Sequence, residues 1–158
     1  THRFFRRILD FPDLYDKLES YAKVAMKEFE WYQDVGEGEK SLLPGSYAVF
    51  GLGLHDEKYF PLIEEYYSKL DDEHQLAHQY FIETLIDKYG VTEKSLHIIF
   101  EGFLSGQFDK IFKNLGKLME DEENKKLLIK ELENYDKYEK EDILYSIWGN
   151  KWKKFFKE

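Results

Sequence analysis

His74 and His78 stand four residues apart in a stretch with helical periodicity, a spacing that lets two imidazoles reach one metal ion. On a helical wheel both fall inside the apolar arc of Ala77, Phe81, Ile82 and Leu85, so they are expected to point inward. No HExxH pattern accompanies them, and the nearest carboxylates, Asp71 and Asp72, precede the helix. A pair of core or interface histidines hydrogen-bonded to carbonyls or tyrosines is the preferred account, and no metal or other cofactor is expected. Gly51-Leu52-Gly53 follows an apolar segment in the manner of a dinucleotide loop, but Asp56 stands where the third glycine belongs. Close helix packing explains those glycines better, because a phosphate would meet strongly negative surroundings.

His55-Asp56 is the dipeptide of the helical phosphohydrolases that hold metals with a His, a His-Asp pair and a distant Asp. The resemblance stops at two residues: only His2 lies upstream, and Asp56 serves equally well as a helix cap. No catalytic residue is assigned, and the chain is expected to be no enzyme. A metal-dependent hydrolase using His55, Asp56, His74 and His78 is the least favoured reading.

Carboxylates and tyrosines are a different matter. The forty residues from Leu54 to Glu93 hold ten carboxylates against three lysines, so −7 of the chain's net −9 is concentrated there. Asp71-Asp72-Glu73 and Glu120-Asp121-Glu122-Glu123 are acidic runs at expected helix junctions. Some of these side chains favour the following helix N-terminus. Clustered charge also steers a cationic partner toward the surface. Twelve tyrosines exceed what a core of this size needs, since each buried hydroxyl must find a partner. Tyr66, Tyr67, Tyr135 and Tyr138 are expected to reach the surface. The expected partner-binding set is Tyr66, Tyr67, Asp71, Asp72, Glu73, Glu120, Asp121, Glu122 and Glu123. Such a surface suits a basic macromolecule and repels nucleic acid and anionic membrane.

With 158 residues, 18% of them aromatic, the chain can bury a substantial core despite its 35% charged residues. It contains no cysteine, which removes disulfides, thiolate metal sites and cysteine nucleophiles. A cytoplasmic location fits that composition. The start, Thr1 to Arg7, lacks an initiator Met and the apolar core of a signal peptide, as expected of a chain cut from a longer protein. No apolar run is long enough to span a bilayer.

The elements that must carry these residues read as helices throughout. Asp10-Phe11-Pro12-Asp13 opens a first helix, whose stripe includes Leu14, Leu18, Tyr21, Ala22, Ala25, Phe29 and Tyr32. The exposed loop Val35 to Glu39 breaks it. Tyr47 to Leu54 reads as a buried central helix, because a lone strand among helices would leave its backbone groups unpaired. A helix over Asp56 to Leu70 follows, with Pro61 in its first turn. Asp72-Glu73-His74-Gln75 resembles a capping box, and the helix it starts ends at Tyr89-Gly90. Thr92 caps the next, where Ile98 lies opposite Leu96, Ile99, Phe100, Phe103 and Leu104, which predicts burial on more than one face. Shorter helices are expected over about 108–119, 122–133 and 140–148. The aromatic-basic tail Lys151 to Lys157 is expected to dock on the bundle.

The expected fold is therefore all-α, one domain over 1–158 with seven or eight helices packed as antiparallel, repeat-like hairpins. Its parts are an N-terminal helix and arm (1–34), central hairpins (44–106) and C-terminal helices (107–158). The stretch Gly45-Ser46-Tyr47-Ala48-Val49-Phe50-Gly51-Leu52-Gly53-Leu54 through Asp71-Asp72-Glu73-His74-Gln75 to Tyr89-Gly90 resembles helical immunity proteins of bacterial polymorphic toxin systems. The resemblance covers about 60 residues of general pattern. It implies a cytoplasmic, non-enzymatic protein that binds and neutralises a cognate, basic toxin domain. The alternative is a helical adaptor or regulatory domain of a larger protein.

Overall fold

The computed structural model describes residues 13, 17–20, 22–23, 44–68, 75–105 and 113–155. Between 44 and 155 these form eight α-helices: α1 (Pro44–His55), α2 (Phe60–Tyr67), α3 (Gln75–Tyr89), α4 (Glu93–Leu104), α5 (Lys113–Leu118), α6 (Glu122–Leu132), α7 (Lys137–Trp148) and α8 (Trp152–Phe155). Among the described residues there is no strand. Residues 17–20, 22 and 23 are helical too. There Ala22 is sealed in the core, while Lys17 and Lys23 face out, as the stripe predicts.

The apolar segment 48–54 is helical and wholly buried, which fits its lack of a polar face. Phe50 sits at its centre. Its ring stacks on Phe81 of α3 with centroids 4.5 Å apart and meets the edge of Tyr66 of α2 at 5.6 Å. Burying such a ring contributes about 2–3 kcal/mol. Gly53 lets α2 come close: a Cβ there would lie 2.2 Å from Cδ1 of Ile63. The final carbonyls of α1 are satisfied by α3. Tyr89 donates its hydroxyl to the Gly53 carbonyl at 2.8 Å. The Lys88 ammonium donates to the carbonyls of Leu54 and, at 2.9 Å, His55. A cation at a helix C-terminus is favoured by the local dipole as well.

The expected single helix over Asp56 to Leu70 is in fact two pieces within the described residues. Asp56 accepts a hydrogen bond from the Lys58 amide and starts one 3-10 turn, Glu57–Tyr59, before α2 begins at Phe60. Pro61 occupies the first turn of α2, where it lacks no needed donor.

α3 ends at Gly90, whose φ of 71° is the left-handed stop. Thr92 then caps α4 reciprocally: its hydroxyl accepts from the Ser95 amide at 3.0 Å, and the Ser95 hydroxyl accepts from the Thr92 amide at 2.8 Å. α4 is the hub. It packs on α2, α3, α6 and α7, so Ile98 is as buried as Leu96, Ile99 and Phe100. α7 starts at Lys137, earlier than its periodicity indicates, because Asp136 and Glu139 form a capping box ahead of the apolar run. It ends at Gly149, with φ 58°. The tail folds back as α8, where Phe155 stacks on Trp148 at 5.4 Å and Trp152 packs against the core.

Candidate functional site

Tyr66 and Tyr67 are not surface residues. Each is 3% exposed, because α2 lies between α1 and α4 and protein meets the helix in both side-chain directions. Burial, reinforced by the charges of Glu64 and Glu101, pushes the Tyr67 hydroxyl far above the ordinary tyrosine range. Tyr135 is buried too, at 7% exposure. The expectation that these three reach the surface is therefore corrected, and Tyr66 and Tyr67 leave the expected partner-binding set. Tyr138 does stand out, at 77%. Asp71, Asp72, Glu73 and His74 fall outside the described residues, as do the expected capping box and the loop Val35 to Glu39. His78 lies in α3.

Glu120, Asp121, Glu122 and Glu123 are all exposed at the junction of α5 and α6. Two of the four have structural work. Asp121 caps α6 by accepting from the amides of Glu123 and Asn124 at 3.0 and 3.1 Å. Glu123 pairs with Lys126 at 2.6 Å. The acidic stretch 54–93 is likewise partly offset by bases beyond its end. Lys94 meets Glu57 at 3.0 Å, and Lys130 of α6 meets Glu93 at 2.6 Å.

An exposed acidic and aromatic face does exist, on α7. Tyr138, Asp142 and Tyr145 recur at the four- and three-residue steps that align side chains along one helix face, with Glu141 at its edge. Tyr145 is 55% exposed. Buried Ile143, Leu144 and Ile147 hold the opposite face of α7 against the core. The two phenols are therefore presented on a fixed support.

The sequence reading missed a polar cluster where α2, α4 and α6 meet. Glu131 of α6 is 5% exposed, which a carboxylate tolerates only when well partnered. It has three donors. His97 of α4 places Nδ1 2.8 Å from its Oε1, the Tyr135 hydroxyl donates to the same oxygen at 3.1 Å, and Asn134 donates to Oε2 at 3.2 Å. A carboxylate only accepts, so Nδ1 carries the hydrogen. On the other side of the ring, Nε2 lies 3.2 Å from Glu64 of α2. Burial and the charge of Glu131 push the Tyr135 hydroxyl far above its ordinary range. A histidine oriented by a buried carboxylate resembles half of an acid–base dyad. Here both ring nitrogens already face protein carboxylates, so the arrangement works as a clasp between three helices. The paired steps His97/Glu101 and Glu131/Tyr135 were the available signal, although i,i+4 polar pairs are common on any helix.

His55 and Asp56 stand at the junction between α1 and the 3-10 turn. The Asp56 carboxylate caps the 3-10 turn, and burial, then the Lys88 charge, hold the His55 imidazole below its usual pKa. Among the described residues no group of three or more His, Asp or Glu side chains converges as a metal site. Nor is any helix among them long and apolar enough to cross a membrane.

No curated protein and no solved structure matches this chain. A family model does, over residues 1–157, and the chain belongs to that family, DUF6138, a family of unknown function.

Proposed function

We propose that this protein is a non-enzymatic binding module for a basic protein partner, and that it acts as an immunity protein neutralising a cognate toxin domain. The observation that carries the reading is the outward face of α7, where two strongly exposed tyrosines flank Asp142 with Glu141 beside them. Tyrosine supplies large contact area with little rotamer entropy to lose, and carboxylates select a cationic partner. Glu120 and Glu122 add exposed carboxylates at the junction of α5 and α6. The clasp at His97 and the capped helix ends give the module the rigidity that preorganised binding needs.

The test is capture at low salt from cells expressing the protein. It compares the native chain with Tyr138→Ala/Tyr145→Ala and Glu141→Lys/Asp142→Lys variants. The expected result is a basic protein retained by the native chain and lost by both variants, with unchanged circular dichroism. A captured protein that both variants hold equally well places binding elsewhere and defeats the reading.

A further inference from the structure

A groove of about 630 Å³ runs between α6, α7 and α8, away from the His97 cluster and bordering the tyrosine face at Glu141. That volume is the scale of one small molecule. Its floor is apolar: Ile129 and Leu132 from α6, Leu144 from α7 and Trp152 from α8. Ile129 is 43% exposed, so the floor is open to a ligand and not closed into the core. Around it stand Lys137, Lys140 and Lys153. Set against the carboxylates of Glu133 and Glu141, these three ammonium groups leave the rim with one positive charge in excess, in a chain of net charge −9. None of them makes an ion pair or hydrogen bond with a described residue, although Glu133 and Glu141 also line the groove. Lys153 instead rests over the Trp152 ring, 5.5 Å from its centroid.

We infer that this groove binds a single-chain amphiphilic anion, a long-chain alkyl carboxylate whose chain lies on the Ile129–Leu144–Trp152 floor and whose head meets the lysine rim. Aliphatic side chains make up most of the floor, which favours an alkyl chain over a flat aromatic ring. The ammoniums of Lys137 and Lys140, which have no ion pair among the described residues, supply charge-assisted hydrogen bonds for a carboxylate. The groove shares Glu141 with the edge of the tyrosine face, but the variants that test it leave Tyr138, Glu141, Asp142 and Tyr145 in place.

The experiment is calorimetric titration of the full chain with dodecanoate, kept below the concentration at which it forms micelles, beside dodecanol and dodecyltrimethylammonium. Dodecanoate should bind once per chain, and octanoate, decanoate and dodecanoate should tighten by about twofold to fourfold per methylene. Lys137→Glu/Lys140→Glu should weaken dodecanoate about tenfold or more. Ile129→Asp, a change at an exposed position, should do the same while leaving the thermal unfolding transition in place. Equal binding of all three amphiphiles, indifference to both variants, a flat chain-length series, or no heat with dodecanoate up to about 1 mM would each overturn the assignment.

Discussion

Tyr135 shows how much one hydroxyl is asked to do. It donates to a buried carboxylate that also holds His97, and its ring packs edge-on against Phe100 at 6.1 Å. A hydrogen bond to a charged, buried acceptor is worth about 1.5–3 kcal/mol, so Tyr135→Phe should cost about 2 kcal/mol in urea unfolding at neutral pH. The alkaline limb adds a second reading. Tyr67 and Tyr135 both have folded pKa values raised above the unfolded value of about 10. The folded state thus keeps protons that the unfolded state releases. Their contribution is complete below pH about 10 and is lost as pH rises beyond it. Stability measured from pH 8 to 11 should fall more steeply in the native chain than in Tyr135→Phe. Parallel slopes would show that the hydroxyl ionises freely in the fold.

At the scale of elements, helix termini and contacts carry the information. Gly90, Thr92 and the Tyr47–Leu54 segment behave as their sequence indicates, because caps and all-apolar helices follow from local chemistry. The approach of α1 to α2 at Gly53 is a sharper test. Alanine there improves helix propensity by about 1 kcal/mol but places a methyl against Ile63, which is fully buried. Overpacking of this kind costs about 1–3 kcal/mol, so Gly53→Ala should be net destabilising by about 1 kcal/mol. Adding Ile63→Val removes the colliding Cδ1 and should recover most of the loss. A Gly53→Ala chain more stable than the native one would mean that Ile63 turns aside without strain. The 3-10 turn before α2, by contrast, was not legible: Asp56 can cap either type of helix, and which forms depends on where Phe60 must enter the core.

At the scale of the whole molecule, charge decides how it meets others. Net −9 gives a long-range field that accelerates a basic partner, although Lys94 and Lys130 neutralise part of the acidic stretch. Exposed charges are screened over about 10 Å at 0.1 M salt. The association rate with a basic partner should therefore drop by about tenfold or more between low and moderate salt, while dissociation changes little. Stopped-flow measurements across that range would check it, and an association rate flat with ionic strength would contradict charge steering. Glu141→Lys/Asp142→Lys should flatten the same dependence, since it reverses charge on the face proposed for that contact.

By itself the sequence determined the all-helical class, the positions of several caps and stops, the burial of α4 on more than one face and the packing of Trp152 against the core. Those properties are encoded in residues near one another along the chain, through periodicity and terminal hydrogen bonds. Only the tertiary structure decided which tyrosines are outside. Tyr66 and Tyr67 look no less polar than Tyr138 and Tyr145, but they stand on the sides of α2 that α1 and α4 cover, while Tyr138 and Tyr145 stand on the free face of α7. It alone brought His97 to Glu131 and Tyr135 across separations of 34 and 38 residues, and it alone gathered three lysines at one groove. The rotation of each helix about its axis is set by all its neighbours at once, and no local stretch of sequence specifies that angle.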